Sequence, residues 1–245
     1  MGLKNVLIVM GTAVLTMSSY ATVALTQTGT VITKQSDEAE RSSNAGAVLG
    51  EIMSAPDQGI PEGLLKRAQG IAVIPHVIKG AFGVGGRYGK GLVAQRNADG
   101  SWGAPLFIDI GGGSFGLQLG VEATDVIMVF TNHEGILPLL KGKLKLGADA
   151  SATAGPVGRT AEVGTDVLLK SAIYSYSRSK GLFAGIALDG AVLGMDDSAN
   201  KSTYGSNFTV AGLSSRTLTA AESNVVGTFI RALQKYAPVT AVAQK

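Results

Sequence analysis

The sequence predicts an α+β fold: a Gly-rich, mainly antiparallel, curved or barrel-like β-sheet flanked by N-terminal and C-terminal helices. Three observations carry this. Apolar residues recur at three- and four-residue spacing only towards the two ends, and from Ile71 the period changes to two. The 34 glycines among 245 residues are about twice the usual share, and many fall inside the period-two segments. Glycine weakens a strand interior, so its abundance there needs a reason, and strong curvature with close backbone contact supplies one.

Taken in order, residues 1–24 read as a cleavable signal peptide. Lys4 is the lone side-chain charge ahead of the apolar run Val6 to Leu15, which is too short to span a membrane. Small residues at Ser19 with Ala21, or Thr22 with Ala24, offer cleavage sites. Residues 25–35 are Thr/Gln-rich and predict a flexible leader. A single domain is expected over 36–238, with a tail over 239–245. Ser36 caps a helix whose acids Asp37, Glu38 and Glu40 suit its positive end, and Ala45, Val48, Leu49, Ile52 and Met53 form its inner stripe. Pro56 ends it, and a short helix runs from Pro61 to about Ala68 with Leu64 and Leu65 inward.

Strands are predicted at 71–75, 81–87, 91–96, 105–110, 125–131, 146–154, 171–178 and 182–194. The cleanest alternation is Phe115, Leu117, Leu119 and Val121 with Gly116, Gln118 and Gly120 between them. Asn97 to Gly100 is a turn. At the far end, Thr219 and Glu222 have capping-box spacing, and Val225, Phe229, Leu233 and Tyr236 make an apolar stripe that Pro238 ends.

Composition excludes several functions. With no cysteine there is no disulfide, thiolate metal site or Cys nucleophile. The net charge of +3 includes Lys4, so the remainder is close to neutral and nucleic acid is not an expected partner. Charged residues are only 16% and the mean hydropathy is +0.26, which implies a generous core or apolar surface that meets lipid or a partner.

Two motifs resemble catalytic or nucleotide-binding signatures and are set aside. Gly112-Gly113-Ser114-Phe115-Gly116 matches G-x-S-x-G, with Asp125 and His133 following in hydrolase order, but that elbow needs a strand-to-helix turn and strand pattern continues here. Read from Gly111, the same run matches G-x-G-x-x-G, yet no helix follows to receive a pyrophosphate. His76 and His133 lie apart without ligand partners, and Asp196 with Asp197 lack EF-hand spacing and form a polar turn. No enzyme activity, metal or cofactor is expected.

The cations cluster despite the near-neutral total. Lys141, Lys143 and Lys145 alternate, so in an extended segment they share one face, and Arg178 and Lys180 have the same spacing. Lysines guarding strand edges are one reading. A cationic face meeting anionic headgroups, at about 1 kcal/mol per well-placed cation, is the other.

Leu64-Leu65 followed by Gly70-Ile71-Ala72-Val73-Ile74-Pro75 resembles the opening of a SYLF domain. In the same order as in that family come Lys79-Gly80-Ala81-Phe82 with Gly85-Gly86, Trp102 with Pro105, and Gly112-Gly113-Ser114-Phe115-Gly116 with Thr124-Asp125. Leu146-Gly147-Ala148-Asp149-Ala150, Gly155-Pro156-Val157-Gly158-Arg159, the run Tyr174 to Gly185, Asn200 and Tyr204-Gly205 follow. The resemblance covers about residues 61–210. It implies phosphoinositide binding and actin regulation, as in eukaryotic members joined to SH3 or FYVE modules. With its signal peptide, the chain looks like a stand-alone bacterial member, exported to the periplasm or beyond and peripheral to a membrane. Anionic phospholipid is then the expected partner and actin is not.

The expected function is non-enzymatic binding of anionic phospholipid, with Lys141, Lys143, Lys145, Arg159, Lys170, Arg178 and Lys180 as candidate headgroup contacts. Arg159 and Arg178 could instead be buried partners of Asp149 or Glu122. The alternatives are an envelope scaffold that holds another protein, an outer-membrane barrel, and a serine hydrolase using Ser114.

Overall fold

The computed structural model describes residues 36–55, 59–82, 84–114, 120–157, 171–179, 181–214 and 216–238. The expected signal peptide, leader and tail, and the strand pattern over 115–119, lie outside the described residues.

The terminal helices form as the sequence predicts. The Ser36 hydroxyl accepts from the Ala39 amide at 3.2 Å and opens α1 (Asp37–Ser54), whose first turn carries Asp37, Glu38 and Glu40. Thr219 and Glu222 complete a reciprocal capping box at the start of α6 (Ala220–Tyr236). Leu49, Ile52, Phe229 and Leu233 are fully enclosed, and each leucine or isoleucine so removed from water stabilises by about 1.5–3 kcal/mol. Small residues let the helices touch. A Cβ on Gly46 would sit 3.2 Å from the Thr228 carbonyl oxygen, and the Ser42 hydroxyl accepts from the Phe229 amide at 3.3 Å.

Glu222 reports on this corner through pH. Hydrogen bonds from Arg216, joined by the Thr219 amide and hydroxyl, hold its carboxyl down to about 2 from an ordinary 4.5, against the opposing effect of burial. A depressed carboxylate contributes stability that is complete above its unfolded value and lost as pH falls towards its folded one. Glu222→Gln is therefore expected to flatten the acid limb of the stability profile between about pH 4.5 and 2, measured by urea denaturation across that range. An unaltered acid limb would refute it.

Among the described residues, nine strands form one sheet: β1 (Gly70–Phe82), β2 (Val84–Gln95), β3 (Leu106–Ser114), β4 (Gly120–Phe130), β5 (Lys143–Lys145), β6 (Ala152–Ala154), β7 (Ile173–Ser179), β8 (Leu182–Gly185) and β9 (Val192–Met195). The order is β5-β9-β3-β2-β1-β4-β7-β6, with β8 also on β7, and every pair except β6 with β7 is antiparallel. The sheet curls into a half-barrel around one contiguous apolar core. The predicted class is the observed one.

The curl is set near a bulge in β1. Ile74 pairs with Val126 and Val77 with Thr124, so Pro75 and His76 together face one residue of β4, Asp125. His76 adopts φ 51°, and its amide donates to the Asp125 carboxylate at 2.9 Å. Across from the bulge, β2 passes so close that a Cβ on Gly91 would lie 2.2 Å from the Val73 carbonyl oxygen and 2.7 Å from the Ile74 Cα. Before the bulge β1 is enclosed from Ile71 to Pro75, whereas beyond it Ile78 and Lys79 are exposed.

Arg96 ties the helices to the sheet. Its guanidinium donates to the carbonyls of Leu65, Ala68, Gly100, Ala237 and Pro238 at 2.8–3.2 Å, and it lies 4.3 Å from the centre of the Trp102 ring. Trp102 donates to the Ala237 carbonyl as well, at 2.9 Å. Among the described residues no carboxylate takes part; the guanidinium instead serves backbone oxygens at the ends of α6 and of α2 (Glu62–Arg67) and in the turn at Gly100.

Several boundaries differ from expectation for physical reasons. The predicted strands 71–75 and 81–87 are not separate, because the bulge absorbs Pro75 and β1 runs on to a hairpin between Phe82 and Val84. The predicted strand 146–154 survives only as β6 at 152–154; residues 147–149 form a turn in which the Asp149 carboxylate accepts from the Lys145 amide at 2.7 Å. The predicted strand 182–194 divides into β8 and β9. Asp196 is no simple turn residue: its carboxylate accepts from the Ala199 amide at 3.1 Å and caps α4 (Asp197–Tyr204). Asn132 does the same for α3 (His133–Leu140), whose short apolar run lacks helical periodicity long enough to read. Asn200 of α4 grips Phe107 of β3 by both its amide and its carbonyl, at 2.9 and 2.8 Å.

Candidate functional site

Beyond the bulge, the inner face of the half-barrel holds a groove of about 320 Å³. Its floor is apolar, with Val77, Ile110, Val126, Ile186 and Leu188. Its wall is polar, and strand register places the charges. Lys79 of β1 lies directly opposite Arg87 of β2 on one side and Glu122 of β4 on the other, giving a row Arg87–Lys79–Glu122 across three neighbouring strands. Thr124, Ser177 and Ser179 add hydroxyls.

Two like charges directly opposite across strands are unfavourable. Nothing in the row relieves them, since among the described residues no ion pair joins Lys79 or Arg87 to a carboxylate within 4.0 Å. Glu122 instead accepts from the Ser179 hydroxyl at 2.6 Å. The Arg87 Nε is buried without a hydrogen-bond partner, and burial pushes the guanidinium below its ordinary value. An arginine remains charged all the same, so the groove holds a half-desolvated cation with an unused donor. Chemically this arrangement can receive an oxyanion.

The cations expected from the sequence stand elsewhere. Lys143 and Lys145 are exposed on β5 at one edge of the sheet, while Lys141 is the C-cap of α3 and does not belong to their strand. Arg178 pairs with neither Glu122 nor Asp149. It is clasped between Asp125, at 3.2 Å, and Glu51 of α1, with its guanidinium 5.7 Å from the Phe183 ring centre. Arg159, Lys170 and Lys180 lie outside the described residues. None of the four described candidates lines the groove. Lys79 belongs to the SYLF-like run Lys79-Gly80-Ala81-Phe82 and Arg87 to no motif; the antiparallel pairing of β1 with β2 sets the two opposite each other.

Among the described residues, Asp125 and His133 of the hydrolase-like order do not pair with each other. Asp125 is committed to the His76 amide and to Arg178, and His133 Nδ1 lies 3.1 Å from the Gln95 side-chain nitrogen. Gly111 to Gly113 are paired strand residues opposite Tyr88, Arg87 and Gly86, and the Ser114 side chain lies outside the described residues. Among the described residues, no three His, Asp or Glu side chains form a metal-holding group.

A protein family described as Ysc84, Las17-binding protein actin regulator, matches residues 111–236. Protein YSC84 of Saccharomyces cerevisiae is 40% identical over 156 residues, covering 62% of this chain and 33% of that protein. LAS seventeen-binding protein 3 of the same species is 37% identical over 156 residues, covering 62% and 34%. SH3 domain-containing YSC84-like protein 1 of Bos taurus is 35% identical over 170 residues, covering 68% and 50%. The chain thus spans a third to a half of the length of these curated relatives. The description of the matching family as an actin regulator overturns the expectation that set actin aside. That expectation rested on residues 1–24 alone, which say nothing of the surface the domain presents. On the match over residues 111–236, the chain belongs to the Ysc84 family.

Proposed function

We propose that this chain binds anionic phospholipid without catalysis, taking the headgroup phosphate into the groove between Lys79 and Arg87. One observation carries the reading: a half-buried guanidinium whose Nε has no partner, beside a second cation that makes no ion pair among the described residues. Phosphate oxygens satisfy both, and Arg binds them through its planar fork. Lys141, Lys143 and Lys145, with Arg159, Lys170 and Lys180, add general attraction at about 1 kcal/mol per cation near a charged surface. Export to a cell envelope, directed by residues 1–24, belongs to the same proposal and is tested by fractionation of cells.

Flotation with vesicles of phosphatidylcholine alone or mixed with phosphatidylglycerol, at two salt concentrations, tests the binding. Salt-sensitive flotation with the anionic vesicles is expected, and Arg87→Gln is expected to weaken it about tenfold, the worth of one charge-assisted hydrogen bond. Equal behaviour with both vesicles, or an Arg87→Gln protein that floats like the parent, would sink the proposal.

A second reading has its own observation. On the opposite face of the same strand ends, Tyr88 lies across from Ile78, with Val121 on the same side near by. These three are 53%, 53% and 74% exposed. Such an apolar strip suits a protein partner, and relatives of the chain are named for binding Las17. We extend protein binding to this chain through that strip. Co-sedimentation with filamentous actin, alone and with added Las17, tests it: Tyr88→Ser together with Ile78→Ser should abolish any pelleting, and pelleting unchanged by both substitutions would refute the strip.

A further inference from the structure

We propose that Glu122 is the specificity residue of the groove, reading a hydroxyl group on the same headgroup whose phosphodiester is held by Lys79 and Arg87. The inference rests on the headgroup reading above and adds the residue that tells one phosphodiester headgroup from another.

The argument begins from a pairing that the register offers and the side chains do not take. Lys79 and Glu122 are directly opposite on β1 and β4, the position at which opposite charges ordinarily join. They do not meet within 4.0 Å. Glu122 is turned towards β7, where the Ser179 hydroxyl donates to its Oε1 at 2.6 Å. Among the described residues this is the hydrogen bond the carboxylate makes, and Oε2 is left as an acceptor. An ionised carboxylate only accepts, so whatever binds Oε2 must bring a proton donor.

The row is therefore a sequence of unlike recognitions on one wall. Arg87 and Lys79 supply donors for an oxyanion, and Glu122, one strand further on, supplies an acceptor. Neighbouring strands are about 4.8 Å apart, so the three positions span roughly 10 Å, the reach of a phosphodiester with a short polyol attached. Thr124 and Ser177 line the same groove and can accept or donate beside the polyol. A phosphodiester with no hydroxyl would leave Oε2 facing an apolar substituent, which a carboxylate tolerates poorly.

The full chain is floated with phosphatidylcholine vesicles containing equal fractions of either phosphatidylglycerol or phosphatidylmethanol. Both lipids carry one negative charge on a phosphodiester and differ in the hydroxyls. The parent protein is expected to prefer phosphatidylglycerol about tenfold, and Glu122→Gln to bring that ratio close to one, with circular dichroism verifying that the variant is folded. Soluble glycerophosphoglycerol is expected to compete with the vesicles for the parent, which separates headgroup recognition from surface adsorption. If the parent binds both lipids equally, if Glu122→Gln keeps the tenfold ratio, or if the soluble probe fails to compete, the inference is overturned while the wider headgroup reading stands on Arg87→Gln. Absence of all vesicle binding overturns both.

Discussion

Gly91→Ala is expected to cost about 4 kcal/mol or more and to remove the cooperative unfolding transition, the larger of the two strongest effects foreseen here. The new methyl would stand 2.2 Å from the Val73 carbonyl oxygen and 2.7 Å from the Ile74 Cα, both backbone atoms that cannot swing aside. Relief would require β1 and β2 to part where they form the middle of the sheet, next to the bulge. The matched control is Gly63→Ala. A Cβ at Gly63 in α2 meets nothing within 4 Å, and a helical Gly→Ala change stabilises by about 0.4–1 kcal/mol. Urea denaturation followed by circular dichroism measures both. A Gly91→Ala protein that unfolds cooperatively within 1 kcal/mol (about the error of such extrapolations) of the parent would show that the close approach is not obligatory.

Arg96→Met is expected to lower stability by about 3–5 kcal/mol, or roughly 10 °C in melting temperature for a domain of this size. Met keeps the stem against Trp102 but leaves five carbonyl oxygens without the donor they share. Some of those oxygens keep another partner, as Ala237 does in Trp102, so the loss is smaller than five charged hydrogen bonds summed. Arg96→Lys should recover little, because an ammonium has three donors and no planar fork to reach carbonyls on two helices and a loop. Full recovery by lysine in thermal melts would mean that charge alone holds the corner.

Much of this fold was legible because its signals are local. Ser36, Thr219 with Glu222, and the stripes of Leu49, Ile52, Phe229 and Leu233 are read within a few residues of one another, and the glycines announced a bent sheet. What resisted reading depends on pairings distant in sequence. β3 and β4 follow one another along the chain, yet β2 and β1 lie between them. No periodicity reveals that order. The helices α3 and α4 are too short for a stripe, and only their caps Asn132 and Asp196 mark them.

The groove was hidden for the same reason. Lysines that alternate along one segment, as Lys143 and Lys145 do, draw the eye, whereas the cations that share the groove come one from each of two strands. Arg178 stands apart from the groove for a different cause. Its partners Asp125 and Glu51 come from a distant strand and from the first helix, and neither was weighed as a candidate.

The Pro75–His76 bulge divides the sheet into two provinces with different tolerances for change. On its near side every side chain of β1 is packed, and a substitution is judged by volume. On its far side Ile78, Lys79, Arg87 and Glu122 face solvent or line the groove, and under the proposed headgroup reading a substitution there is judged by its effect on binding. Two residues out of step are enough to make recognition adjustable without disturbing the frame that carries it.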